Sequence, residues 1–182
     1  MSGGPSLIQC LTAQKAAGTL QSNYTTAKSV INPTEIVALP ANYLGLGTRL
    51  NIKVAGGISN VVTATPTFTF QVMVGAVVAW TSGALTTVAT ASTLLPFVLD
   101  IDLRLDSEGS GTSAKFLGIG RIRCAAFANA AAIVPITSPA VGTGFDSTVA
   151  NNLDFWCGLS AASASTGIQV YDYCVTQYRY SA

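Results

Sequence analysis

The sequence predicts an all-β protein: an antiparallel, jelly-roll-like β-sandwich of about eight strands with an extended N-terminal arm. Three observations carry that prediction. Apolar and polar residues alternate with a period of two in segment after segment, the pattern of strands with one buried face. Clusters of Gly, Ser and Thr separate those segments, which marks turns. No stretch has a helical period with caps, and the nearest candidates are the alanine-bearing runs 10–17 and 125–132.

The elements follow in order. Residues 1–34 contain no acid, carry only Lys15 and Lys28 as charged side chains, and lack sustained alternation. They read as an arm ending near Asn32-Pro33, where the proline interrupts regular structure. Leu7, Ile8, Leu11 and Leu20 are apolar anchors that a short arm cannot bury by itself. With Lys15 and Lys28 they form a candidate assembly surface for an acidic patch on another subunit. The sandwich occupies 35–182.

A short strand is expected near 36–39. In 48–54, Leu50, Ile52 and Val54 alternate with Arg49, Asn51 and Lys53. In 67–74, Phe68, Phe70, Val72 and Val74 share one face. The run continues through Val77 to Trp80, and Thr81-Ser82-Gly83 reads as a turn before a Thr/Val run at 85–90. Residues 97–106 alternate most cleanly: Phe97, Leu99, Ile101, Leu103 and Leu105 against Asp100, Asp102, Arg104 and Asp106. A polar loop, 107–113, leads into a returning strand at 115–127. The two form an antiparallel hairpin in which Arg121 and Arg123 can face Asp100 and Asp102. Strands at 132–137, 151–160 and 167–180 complete the set. The last is tyrosine-rich, with Tyr171, Tyr173, Tyr178 and Tyr180.

Composition excludes several functions. There are 182 residues, with nine Lys and Arg, eight Asp and Glu, and no His. Without imidazole there is neither a His base nor a His metal ligand. The net charge of +1 supplies no field for nucleic acid or an anionic membrane. Residues 54–99 are uncharged, but polar residues interrupt them too often for a membrane-spanning helix. Met1 to Pro5 has no basic or apolar signal-peptide region. Only 9% of residues are charged, against about 25% in ordinary soluble domains. The expectation is a Ser/Thr/Asn-coated surface partly covered by other copies, with a homotrimer favoured.

Candidate chemistry is sparse. Asp100 and Asp102 stand two apart on one strand face, a carboxylate pair of the kind glycosidases use. They lie beside Arg104 on a regular strand, so a solvated face accounts for them. Calcium ligation by Asp100, Asp102, Asp106 and Glu108 does not fit an EF-hand spacing. Gly118-Ile119-Gly120 lacks the third glycine of a phosphate loop and reads as a kink in a strand. Asn23-Tyr24-Thr25 matches a glycosylation acceptor by chance. Cys10, Cys124, Cys157 and Cys174 form no CxxC pair and read as free, buried thiols. The tyrosines of the last strand could stack on sugars or bases, with Tyr171 and Tyr173 on one face and Tyr178 and Tyr180 on the other. No catalytic residue, cofactor or metal site is assigned.

Residues 36–43 (IVALPANY), 47–60 (GTRLNIKVAGGISN) and 141–148 (VGTGFDST) resemble a group of tailed-phage virion proteins similar to head decoration (cement) proteins. The resemblance spans roughly 30–180 and carries no catalytic signature. It implies a β-sandwich or jelly-roll body and a trimer bound to the outer surface of the major capsid protein lattice. It further implies a location in the virion head after synthesis in host cytoplasm. The alternative is a tail or head-fibre module that binds host-surface carbohydrate.

Overall fold

A computed structural model describes residues 7–61, 65–135 and 142–179. Met1 to Pro5, Val141 and Tyr180, all invoked above, and the end of the 132–137 strand lie outside the described residues. Twelve strands follow in chain order. They are β1 (Leu7–Ala13), β2 (Gln21–Ser22), β3 (Lys28–Ser29), β4 (Val37–Leu39), β5 (Arg49–Asn60) and β6 (Thr67–Val74), then β7 (Val77–Thr86), β8 (Ser92–Ser107), β9 (Lys115–Cys124), β10 (Ala131–Val134), β11 (Asn151–Leu159) and β12 (Gly167–Arg179). Among the described residues there is no α-helix, only a 3-10 turn at Pro33–Glu35. No helix there is long and apolar enough to cross a membrane.

The strands form two antiparallel sheets. One runs β1-β12-β5-β8-β9-β10, with β2 also on β12. The other runs β3-β11-β6-β7, with β4 also on β11. The consecutive pairs β5/β6, β7/β8 and β11/β12 each cross from one sheet to the other. The core lies between the sheets, as a sandwich requires. Leu50, Ile52 and Val54 meet Phe68, Phe70 and Val72 there, with Leu99, Ile101, Phe155 and Tyr173. Phe70 stacks on Phe97 and Phe155 with ring centroids 5.6 and 5.9 Å apart.

The expected alternation of 97–106 is found intact. Phe97, Leu99, Ile101, Leu103 and Leu105 point inward, while Asp102, Arg104 and Asp106 are exposed. The hairpin with β9 is also found, although its charges pair only in part. Arg121 stands opposite Asp100, but Arg123 stands opposite Val98 and Asp102 opposite Ile119.

Several expectations need correction. Within the expected arm 1–34, the described residues 7–34 do not stand apart from the body. β1 pairs with β12 over Leu7 to Ala13, β2 joins the same sheet and β3 joins the other. Val30 and Ile31 are core residues. β1 escaped the alternation test because it is an edge strand with most of its side chains exposed. The turn at 81–83 is also displaced. The chain reverses at Gly75, whose φ of +59° suits glycine. β7 then runs on through Gly83 with two register shifts against β6, so the turn-like residues sit at an irregularity in a strand. Gly118 and Gly120 do not kink β9 but make room for an indole. A Cβ on Gly118 would come 2.5 Å from Trp80 Cδ1, and one on Gly120 would come 3.1 Å from Trp80 Cζ2.

Candidate functional site

The outer faces of the two sheets differ in chemistry. On the larger sheet, register places Thr176, Asn51, Asp102 and Ile119 in one row. The adjacent rows hold Tyr178, Arg49, Arg104 and Leu117, and Cys174, Lys53, Asp100 and Arg121. Asn51 Nδ2 donates to Asp100 at 2.7 Å and to Asp102 at 2.9 Å. One amide therefore bridges the two carboxylates of the candidate acid/base pair. They lie on an open strand face beside a hollow of about 260 Å³ lined by Arg49, Arg104, Leu117 and Ile119. Asp106 is ion-paired with Arg104 at 2.7 Å. Glu108 accepts from the Leu46 backbone N–H at 3.0 Å. Among the described residues no group of three or more acidic or thiol side chains is placed to hold a metal.

The smaller sheet presents a different outer face. Ser29, Trp156, Gln71 and Thr81 lie side by side across β3, β11, β6 and β7. Gly158, Thr69 and Ala84 form the next row. The one ionisable group on these strands' outward side is Asp154, and it is only 9% exposed. Its carboxylate accepts from Ser29 Oγ at 2.8 Å, the Phe155 backbone N–H at 2.7 Å and Trp156 Nε1 at 2.7 Å. These three donors compensate its burial. They also fix Trp156, since the indole N–H is held by a residue two positions back on the same strand. A half-exposed indole of set orientation thus sits among uncharged amide and hydroxyl groups. Such a surface offers a π-face and hydrogen-bonding groups while demanding no counter-charge.

The proposed assembly residues are dispersed. Leu7 and Ile8 are exposed on the β1 edge at 52% and 64%. Leu20 is exposed as well, while Leu11 packs on the core. Lys15 lines a cavity of about 460 Å³ with Thr12, Asn32 and the buried Glu35. Lys28 Nζ sits 4.3 Å from the centre of the Tyr24 ring.

Tyr171 and Tyr173 do not share a face as expected. Tyr173 is fully buried, Tyr171 is exposed, and a register shift between Val170 and Asp172 puts the two on different sides. That bulge invalidates the simple parity applied to the sequence. The aromatic that sequence reasoning passed over is Trp156. Its signal was present: in 151–159 the inward set is Leu153, Phe155, Cys157 and Leu159, so a tryptophan between them must face outward, two residues from an aspartate. The thiols also differ from expectation. Cys124 and Cys157 are buried, but Cys10 is exposed and Cys174 half-buried.

No family model and no curated protein matches the chain. Among solved structures it is similar to the CBM2 module of the evolved Dit of Lactobacillus casei BL23 phage J-1, at 11% identity and TM-score 0.41, over 97% of this chain and 99% of that one. It is also similar to peanut lectin with a nine-residue peptide, at 6% identity and TM-score 0.37, over 98% and 100%. A third likeness is to a mutant of alginate lyase Aly36B in complex with alginate tetrasaccharide, at 9% identity and TM-score 0.24, over 94% and 96%.

Proposed function

We propose that the chain is a structural protein of a phage virion that acts by binding rather than catalysis, and that the outer face of its smaller sheet binds neutral carbohydrate of the host surface. The observation that carries the carbohydrate reading is Trp156, held by Asp154 at 2.7 Å and flanked by Ser29 and Gln71. A sugar ring has an apolar C–H face and a rim of hydroxyls. The indole complements the first by dispersion and burial. Gln71, Thr69 and Thr81 can complement the second, since each donates and accepts, and Ser29, whose proton goes to Asp154, can still accept. Preorganisation of the indole by Asp154 reduces the ordering cost of binding. The phage assignment rests on the sequence resemblance described above.

Capsid decoration, as a homotrimer on the major capsid protein, is the second reading. It is favoured by the exposed Leu7 and Ile8 on an edge strand with no charged residue, which leaves apolar surface and backbone groups open to a neighbour.

One experiment separates the readings. The protein and its Trp156→Ala variant are applied to a glycan array, and bound sugars are titrated by indole fluorescence. The carbohydrate reading expects saturable binding that the variant loses at least about tenfold, with an unchanged melting curve. No glycan binding, together with stoichiometric co-purification on intact heads, establishes decoration instead.

A further inference from the structure

Cys10 and Cys174 are 164 residues apart in sequence, yet their Sγ atoms lie 4.0 Å apart on neighbouring strands. β1 bulges between Cys10, opposite Thr176, and Thr12, opposite Val175. Cys174 itself stands opposite Ala13. The two thiols are therefore diagonal neighbours across the β1–β12 ladder. Cys10 is exposed and Cys174 half-buried, so a reagent can reach the first and leave the second to follow. Each thiol has other weak contacts, Cys10 to the Thr12 carbonyl at 3.4 Å and Cys174 to Thr176 Oγ1 at 3.9 Å.

We propose that Cys10 and Cys174 form an intramolecular disulfide when the protein meets a low-molecular-weight disulfide, and that this bond staples the edge strand β1 to β12. In the first step the Cys10 thiolate attacks one sulfur of the oxidant. That S–S bond breaks, and one equivalent of reduced thiol leaves with the proton. In the second step the Cys174 thiolate attacks the Cys10 sulfur of the mixed disulfide, and a second equivalent of thiol leaves. The protein loses two protons and two electrons, and the oxidant gains both. The sulfurs must approach by about 2 Å to reach bonding distance, within reach of side-chain rotation at an exposed edge.

The consequence is mechanical. Among the described residues β12 is the one strand that pairs with β1. The other ties of β1 to the body are Leu11 on the core, Thr12 Oγ1 donating to Glu35 at 2.8 Å and the Tyr43 hydroxyl donating to Gln9 at 3.4 Å. A covalent bond to the adjacent strand removes fraying of that edge and cross-links residues far apart in the unfolded chain. In a reducing cytosol the strand remains reversible, and in an oxidising medium it locks. The other two thiols take no part, since Cys124 and Cys157 are buried and burial pushes the Cys157 thiol up to about 12.

The test incubates the native protein with oxidised glutathione over a pH series. Intact mass, peptide mapping and melting are then measured. The expected product is a monomer lacking two hydrogens, with a Cys10–Cys174 linked peptide and Cys124 and Cys157 alkylated only after unfolding. Desolvation and the neighbouring Cys174 thiol raise the Cys10 pKa, so formation should accelerate as pH rises. Melting should rise by about 5 °C on oxidation and return with reductant. Neither Cys10→Ser nor Cys174→Ser should show the shift. A persistent glutathione adduct on Cys10, a dimer bridged through Cys10, or an unchanged mass while a thiol-alkylating reagent labels Cys10 would each overturn the proposal.

Discussion

The two outer faces of the sandwich rest on the same core yet handle carboxylates in opposite ways. On the larger sheet, Asp100 and Asp102 share one amide of Asn51 and lie among Arg49, Lys53, Arg104 and Arg121. On the smaller sheet, Asp154 stands without a neighbouring cation in its row or the next. Two side-chain donors and a backbone N–H satisfy it. Water and mixed charge make the first arrangement cheap to alter. Burial makes the second costly to alter, because each orphaned donor loses its partner without regaining solvent. A buried, fully satisfied carboxylate beside a half-exposed indole indicates a surface built to hold a shape, whereas the charged face is suited to keeping the molecule in solution.

The comparison is sharpest if both faces share a correctly assigned interior. Ile101 is fully buried on the inner side of β8, between Asp100 and Asp102 in sequence. Ile101→Asp should therefore abolish folding or cost more than about 4 kcal/mol, through an unpaired charge in the core. A melting curve near that of wild type would mean that the faces of the larger sheet are inverted.

A second substitution tests how the sheets are held against each other. The Trp80 indole fills the space beside Gly118 and Gly120, and a Cβ on Gly118 would come 2.4 Å from Leu103 Cδ2. Gly118→Val should cost about 1–3 kcal/mol or more by overpacking. The Trp80→Phe/Gly118→Val double variant should recover part of that loss, a coupling read from a double-mutant cycle of denaturant melts. Additive losses would show that the indole is not what excludes a side chain there.

These regions also mark where the sequence is legible. β8 could be read because its alternation runs unbroken and its outward residues are charged, so parity settles the faces. β6 could be read from alternation alone, with Phe68, Phe70, Val72 and Val74 set against the uncharged Thr67, Thr69, Gln71 and Met73. β1 could not, because an edge strand with both sides largely wet imposes little alternation. Tyr171 could not, because one extra residue in β12 reverses the parity after it. Trp80 and Gly118 gave separate local signals, a tryptophan in a strand and a Gly-x-Gly. Their meaning is a contact across the core, which no local pattern carries. The Asp154–Trp156 pair could have been read from parity alone. The partner Ser29, which completes the carboxylate's shell, arrives from 125 residues away.

Asp154 supplies the next largest effect. Asp154→Ala removes the acceptor for Ser29 Oγ, the Phe155 N–H and Trp156 Nε1. It should cost about 2–3 kcal/mol by urea unfolding, and it should weaken any sugar titration by freeing the indole. Asp154→Asn keeps an acceptor for one or two donors and should lie between. Equal stability of wild type and Asp154→Ala would show that burial on this face does not depend on the carboxylate.

The smallest effect is expected on the opposite face, where Asp102 is the matching control. Its Oδ1 accepts from Asn51 Nδ2 at 2.9 Å, but the same amide also reaches Asp100 at 2.7 Å. Removing Asp102 therefore leaves no buried donor without a partner. The nearest cations, Arg49 and Arg104, lie on an open face where solvent screens the pair. Asp102→Ala should change unfolding free energy by no more than about 1 kcal/mol. Added salt should narrow even that difference, because screening removes what the exposed charge contributes. Sugar binding should be unchanged, since the residue lies across the sandwich from Trp156. If Asp102→Ala proves as costly as Asp154→Ala, the two faces are not the solvated and the structured surface distinguished here. If it abolishes glycan binding instead, recognition belongs to the charged face and its 260 Å³ hollow, not to the indole.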